Sequence, residues 1–459
     1  VSELNSTKVI DTIYIHNLED IRTIVKLAKN NKKTIGICGT KHSMGGQSIA
    51  QNGYRLDMKN FNNILKLDVK NKLVTVEAGV LWCDLIKYLN TYGLSPMTLQ
   101  SYSTFSIGGT ISVNAHGITN DFAIIESIKE LKIVDDNNHI LICNRNENYE
   151  LFSLVVGGYG LFGVIYEITL KVEPNVKLRI HKKDLNTQNF MKFYEKILND
   201  KNVNVKLARI NTTNMDDIYL YYFINEKNND VKIISKLSKK PNELSKLNQF
   251  MYKWLLPSIT LQKIRFNIEK NTDKPIDVNV GEDDPDNIDR NQLLYESAEP
   301  MAKLYNVLID LNRTHILQEY FIPSINFKKW MLYLKEYFVN RLMQNVSLLN
   351  ITIRYIKKDN TTFLKYAKED MYAFVFYYRI SKDEEGDDEI KNIHMDLTDK
   401  VIKMEGTFYL PYRHHYDLYQ LVKCYPKIIK FIEKKNEYDP DNMFTNLWYN
   451  NIKKLIENN

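Results

Sequence analysis

Cysteine is scarce in this chain. Its four thiols, Cys38, Cys83, Cys143 and Cys424, are widely separated and form no C-x-x-C pair. That excludes a cysteine-built zinc site and argues against a disulfide framework; no metal site is expected. Long apolar runs are also missing: none reaches the ~18 residues that a membrane span requires. No signal-peptide pattern opens the sequence, so a soluble and cytoplasmic protein is the expectation. An excess of one charge is absent as well. Lys+Arg 62 against Asp+Glu 56 leaves +6 over 459 residues, too thin a positive field to point to nucleic acid. What remains is 44% hydrophobic and 26% charged, an ordinary globular composition with length enough for two domains.

Glycine and proline are unevenly placed. Of 17 glycines, 14 fall within residues 1–173, while only two of the 11 prolines, Pro96 and Pro174, occur before residue 175. Glycine permits positive φ and close approach to a ligand, so the first third is expected to hold something by its backbone. There, helical spacing (Ile21, Ile24, Val25, Ala28) and strand-like runs (Thr34–Cys38, Tyr54–Met58, Leu73–Ala78, Val164–Leu170) alternate, which predicts an α+β domain. Beyond residue 175 the chain reads as aromatic strands, such as Tyr219–Phe223, Gln318–Ile322 and Tyr372–Tyr378, with helices near Asn242–Leu255 and Phe327–Met343. Two stretches read as loops: the acidic run Lys382–Glu389, and the polar segment 270–292, expected to be mobile.

Three glycine-rich loops each stand beside a strand pattern: GTKHSMGGQS (39–48), STFSIGGTISVNAHG (103–117) and GGYGLFGVI (157–165). The first fits neither the G-x-G-x-x-G dinucleotide turn nor the G-x-x-x-x-G-K-[ST] phosphate loop. Taken alone it is equally readable as a tight surface turn or as a nest of N–H groups for an anion. Three such loops together imply one large ligand wrapped by backbone.

In order and spacing, these loops resemble the FAD-binding domain of the vanillyl-alcohol-oxidase / p-cresol-methylhydroxylase family, over about residues 8–173. The segments GTFYLPYRHHYDLYQLVKCYP (406–426) and YDPDNMFTNLW (438–448) are similar to the end of that family's aldonolactone and decaprenylphosphoryl-ribose oxidases. The resemblance implies an α+β, two-domain flavoprotein. Residues 1–173 would bind FAD, 174–405 would form an antiparallel-sheet substrate domain, and 406–459 would return to the FAD domain and active site. It places the pyrophosphate on backbone N–H groups of Gly39, Thr40, Lys41 and Ser43. Further FAD contacts fall to Gly108, Gly109 and Thr110, and to Gly158, Gly163 and Val164 or Ile165. His42 occupies the place of a histidine that, in covalent members, bonds to the flavin 8α-methyl. Residues 100–110 hold no cysteine, so a second, cysteinyl link is not expected. His116 would lie near the flavin in a supporting role.

The implied function is oxidation of a CH–OH group of a sugar, aldonolactone or polyol, with a small-molecule substrate and an electron acceptor such as O2 as partners. Amine oxidation of the cytokinin-dehydrogenase kind is one alternative, and a non-catalytic flavin-binding protein is another. The chemistry needs a base for the hydroxyl proton and a cation near N1–C2=O of the reduced ring. Relatives carry a lysine near the position of Tyr412-Arg413. Arg413 is therefore expected to supply the charge and His415 the base, with His414, Tyr412, Glu319 and Tyr320 as further candidates. Arg354 and Tyr378 are weaker ones.

Overall fold

The computed structural model describes residues 4, 7–226, 237, 259–271, 287–296, 312–339 and 341–458. Near the start of the chain, Leu18–Asn30 forms an amphipathic helix whose Ile21, Val25 and Ala28 are buried. Asn17 and Asp20 close its first turn as a reciprocal capping box. The helix joins the two edge strands of a parallel three-stranded sheet in the order Asp11–Tyr14, Tyr54–Asp57, Ile35–Cys38. A second, antiparallel sheet runs Ile64–Asp68, Leu73–Glu77, Val164–Pro174, Ile128–Val134, Ile140–Asn144, with Leu94–Pro96 also paired to Val164–Pro174.

The later chain builds one antiparallel eight-stranded sheet. Its order is Asn287–Asp289, Lys177–Asn186, Asp217–Asn225, Val203–Ile210, Val346–Ile356, Met371–Ser381, Arg313–Pro323, Thr407–Phe408. The helix Phe327–Phe338 buries Trp330, Met331 and Leu334. One continuous apolar core reaches from Ile15 through Ile353 and Phe376 to Ile452. All four cysteines are free and buried. No helix among the described residues is long and apolar enough to cross a membrane.

Two loop expectations are corrected. The acidic run is not a loop: Glu384–Ile402 is a helix, and the Asp383 side chain caps it by accepting from Gly386 N. Carboxylates at a helix start face unpaired N–H groups and the positive dipole end, so the same charges that suggest solvent also begin a helix. Part of segment 270–292 is likewise ordered: Asn287–Asp289 pairs with Lys177–Arg179, and Arg290–Glu296 is helical. Its polar residues are consumed internally, since the fully buried Arg290 donates to Asn204 Oδ1 and Pro96 O and pairs with Glu173. Residues 272–286, like the expected helix near 242–255, lie outside the described residues.

Beyond residue 406 the chain runs back onto the parallel sheet. Ile35 N donates to Met443 O (2.7 Å) and Thr445 N to Ile35 O (3.0 Å). The turn that delivers this strand is set by Asp439. Its carboxylate accepts from Met443 N (3.0 Å) and Phe444 N (2.8 Å), and from the buried Lys435 ammonium at 2.5 Å. Asp439→Asn would strand that ammonium in the core. Removing one partner of a buried pair costs about 3–5 kcal/mol, so chemical denaturation should show a loss of that size. A change below about 1 kcal/mol would reject this role for the pair.

Candidate active site

A cleft of about 310 Å³ opens between the glycine-rich loops and one face of the eight-stranded sheet. On the loop side it is lined by residues 39–43, by Gly108, Gly109 and Thr110, and by Gly160, Gly163 and Ile165. The first loop leaves its strand at Cys38 and turns at Lys41, whose φ is +59°. Lys41 Nζ lies 3.4 Å from the buried Asp57 carboxylate on the neighbouring strand. Ser106 N donates to Thr40 Oγ1 (3.2 Å), and a Cβ on Gly39 would come within 2.0 Å of Ser106 Oγ. A side chain at residue 39 would thus have to displace the Ser106 hydroxyl where the first two loops touch. Past the turn, Met44 N and Gly45 N both donate to Pro411 O (2.9 and 3.2 Å). The five N–H groups from Gly39 to Ser43 donate to no described residue. Unpaired N–H groups are costly unless solvent or a ligand accepts from them, and a cleft lined by such a run suits an anion.

His42 stacks on Phe105, ring centroids 4.0 Å apart at 25°, and Phe105 lies parallel to Tyr102. Burial lowers the His42 pKa to about 4, so the ring is neutral and nucleophilic at pH 7.

The opposite wall is a sheet face. Strand alternation projects Leu317 and Glu319, Asn350, Thr352 and Arg354, and Val375 and Tyr377 into the cleft. Glu319 is 2% exposed, and its Oε1 lies 2.6 Å from His116 Nε2, itself in a 3% exposed residue. With the carboxylate ionised, Nε2 carries the proton; Nδ1 is buried without a partner. His116 is boxed by Phe321, Tyr366 and Tyr409. Tyr412 also lines the cleft. Burial first, then the Glu319 carboxylate, raises its phenol pKa well above the ordinary value, against an opposing pull from Arg354.

Arg413 and His415 do not line the cleft, a correction to the expected constellation. Arg413 binds Asp387 on the helix Glu384–Ile402, while His415 Nδ1 lies 2.8 Å from Nδ1 of the fully buried His394. The segment is not a regular strand: it bends at Tyr412 and His415 N donates to Arg413 O (2.9 Å), so Tyr412 meets the cleft while Arg413 and His415 turn to Asp387 and His394. His414 reaches Gly45 O (2.8 Å) through Nε2 and Asn451 Nδ2 (3.1 Å) through Nδ1. Tyr320 faces away too, donating to His394 O, and Tyr378 packs on that same histidine. Gly158 and Val164 lie behind the lining; a Cβ on Gly158 would meet Leu154 O at 2.0 Å. Thr110 contributes to the wall, but its hydroxyl is spent on Trp82 and Ser106 O. Sequence reasoning missed Tyr102, Phe105, Arg209, Tyr377 and Tyr409, all of which line the cleft; only period-two alternation in the strand around Tyr377 could have singled one out.

Comparison with known proteins agrees with this geometry. Residues 12–144 match the family described as "FAD binding domain". Over these residues the chain is similar to the FAD-binding domains of the vanillyl-alcohol-oxidase / p-cresol-methylhydroxylase family. The chain is 30% identical over 164 residues to L-gulonolactone oxidase of Bos taurus, covering 36% of this chain and 37% of that one. It is 31% identical over 150 residues to cytokinin dehydrogenase 2 of Arabidopsis thaliana, covering 32% and 30%. A putative D-arabinono-1,4-lactone oxidase of Neurospora crassa is 30% identical over 163 residues, covering 35% and 29%. The chain thus spans about a third of the length of these relatives. FAD is the cofactor of this domain, and the residues present fit it: the free N–H groups of 39–43 can donate to a diphosphate, and aromatic rings stand ready to flank a flavin.

His414 yields a pH prediction. Burial depresses its pKa from 6.5 to about 4. Between those values the unfolded chain binds more protons, so stability rises with pH across that window and is lost on acidification. His414→Gln keeps a donor for Gly45 O but does not titrate. The slope of unfolding free energy against pH between about 4 and 6.5 should flatten by up to about 1.36 kcal/mol per pH unit. An unchanged slope would show that His414 does not carry this term.

Proposed function

We propose that this protein is an FAD-dependent oxidoreductase acting on a CH–OH group of a sugar, aldonolactone or related polyol. Residues 1–173 hold the cofactor, 174–405 supply the substrate wall, and 406–459 close the site. The observation that carries the reading is the cleft itself, with free N–H groups along one wall and a buried carboxylate–histidine pair on the other. When bound, FAD supplies the two-electron acceptor for the substrate hydride.

The chain's part is to hold the alcohol and take its proton. The hydroxyl proton passes to Glu319, whose Oε2 makes no hydrogen bond to a described residue. His116 positions that carboxylate through Oε1. Tyr412, kept protonated by burial, donates to the substrate oxygen. Apolar walls from Leu317, Val375 and Pro411 limit water at the reacting carbon. His42, neutral and stacked on Phe105, is the proposed attachment point for the flavin 8α-methyl. A second reading, amine oxidation, is favoured only by the cytokinin dehydrogenases among the relatives, and the same carboxylate could serve it.

Anaerobic mixing of the FAD-loaded protein with aldonolactones, sugars, polyols and amines tests the reading: bleaching by an alcohol supports it. Bleaching by amines alone would transfer it to the second reading, and no bleaching at all would leave a flavin-binding protein. Glu319→Gln should retain FAD but slow reduction by about 10²–10⁴, the usual worth of a general base. Arg413→Ala should stay within a few-fold of the parent rate; the reverse pattern would restore Arg413 to the chemistry. Denatured protein should carry flavin fluorescence on a gel, and His42→Ala should lose it. Complete release of FAD from the parent protein would reject the covalent link.

A further inference from the structure

Lys41 stands where glycine would be the easy residue. Its φ is +59°, a left-handed conformation that crowds the Cβ of an L residue and that glycine adopts freely. It is the middle residue of the run 39–43, whose N–H groups donate to no described residue. A change of backbone hand at one residue is what brings successive N–H groups to one side. The anion-receiving array therefore depends on this turn being held.

One contact in the structure holds it. The Lys41 ammonium lies 3.4 Å from Asp57 Oδ2. Asp57 ends the central strand of the parallel sheet, level with Cys38 at the root of the loop. Its side chain is only 3% exposed, and its two oxygens have separate duties. Oδ1 accepts from Lys59 N (3.2 Å) and caps the turn Met58–Asn60, which leaves Oδ2 to Lys41 among the described residues. Burial, then Asp57, pushes the neighbouring Cys38 thiol up to about 11, against the pull of Lys41, Arg55 and Lys59. The carboxylate thus stands among three cations.

We propose that Asp57 is a positioning residue for the cofactor. Its carboxylate holds Lys41 in the left-handed turn and so keeps the N–H groups of 39–43 arrayed for a diphosphate. Asp57 itself does not line the cleft. The inference rests on the reading that this loop receives the diphosphate of FAD. Charge and positioning predict opposite signs. A carboxylate beside the loop repels a diphosphate, so charge alone says that removing it tightens FAD. Positioning says that removing it loosens FAD.

The experiment titrates full-length apoprotein with FAD by calorimetry, without turnover. The protein comes from riboflavin-starved cells and carries His42→Ala, so that the flavin stays exchangeable. Asp57→Asn keeps an oxygen for Lys59 N and loses only the charge. It should weaken FAD about fivefold to thirtyfold, the affinity equivalent of the cost of a left-handed L residue. Lys41→Ala should do the same, since it keeps the turn's cost without the ammonium. Lys41→Gly should bind within threefold of the parent. Lys41→Gly combined with Asp57→Asn should also return to within threefold, because glycine needs no holding. That rescue is a signature that a general loss of packing around Asp57 would not give. The proposal is overturned if Asp57→Asn tightens FAD or leaves it unchanged, or if the double variant is no better than Asp57→Asn alone. It is also overturned if Lys41→Gly alone weakens FAD as Lys41→Ala does, which would make the ammonium a direct ligand contact. If the parent binds no FAD, the flavin reading fails and the positioning role with it; if the parent binds and only the rescue pattern is missing, the flavin reading stands and Asp57 loses its role.

Discussion

The site depends on where one carbonyl points. Pro411 O accepts from Met44 N and Gly45 N, which fixes the far end of the first glycine loop, while Cys38 fixes the near end in the parallel sheet. Between these ties the chain cannot fold back to satisfy its own N–H groups, and Gly39 through Ser43 present theirs to the cleft. Gly45 is compelled by the same contact: a Cβ there would meet Tyr412 O at 2.4 Å. His414 and Gln47 reinforce it through Gly45 O and Leu410 O. The segment 410–415 is therefore one clasp with two outputs, a loop whose N–H groups stay open to the cleft and a Tyr412 phenol that also lines it.

Electrostatics divide the clasp into a silent side and a working side. Behind it, Arg413, Asp387, His415 and His394 are linked to one another, with His394 Nε2 left buried and unpartnered, and burial holds both imidazoles below the ordinary histidine pKa. Such a network fastens the C-terminal segment to the helix Glu384–Ile402 and has no opening toward substrate. In front of it, Glu319, Tyr412 and Arg354 line the cleft, and the Tyr412 phenol, raised first by burial, is raised further by the carboxylate against the guanidinium. Consecutive residues of one loop therefore carry opposite duties.

How much was legible follows from which group does the recognising. The three glycine loops announced themselves because backbone recognition demands glycine at fixed spacing, and residues 39–43, 108–110, 163 and 165 do line the cleft. Yet many glycines there serve chain packing: Gly117 is needed because Leu99 O would lie 1.5 Å from a Cβ, and Gly158 because of Leu154 O. Composition cannot separate a glycine that admits a ligand from one that admits another strand. Of the run Tyr412-Arg413-His414-His415 only Tyr412 lines the cleft; the direction each side chain takes is set by Asp387 and Gly45, both distant in sequence. The acidic run failed for a related reason: the residue types that favour solvent also favour a helix N-terminus.

This division bears on what similarity can carry. The matched domain covers residues 12–144, and the relatives align over about a third of the chain. That is the part whose recognition is built from backbone, which tolerates side-chain replacement provided the glycines and the turn at Lys41 persist. The substrate wall is built from side chains standing on a sheet, where any alternate position can change its chemistry without disturbing the ladder. Glu319 and Arg354 belong to that second part, and Tyr412 adds to it from the bend after the strand Thr407–Phe408. Cofactor identity can therefore persist at 30% identity while substrate identity drifts, and the discriminating information in this protein lies on the strands Arg313–Pro323 and Val346–Ile356 rather than in the loops that reveal FAD.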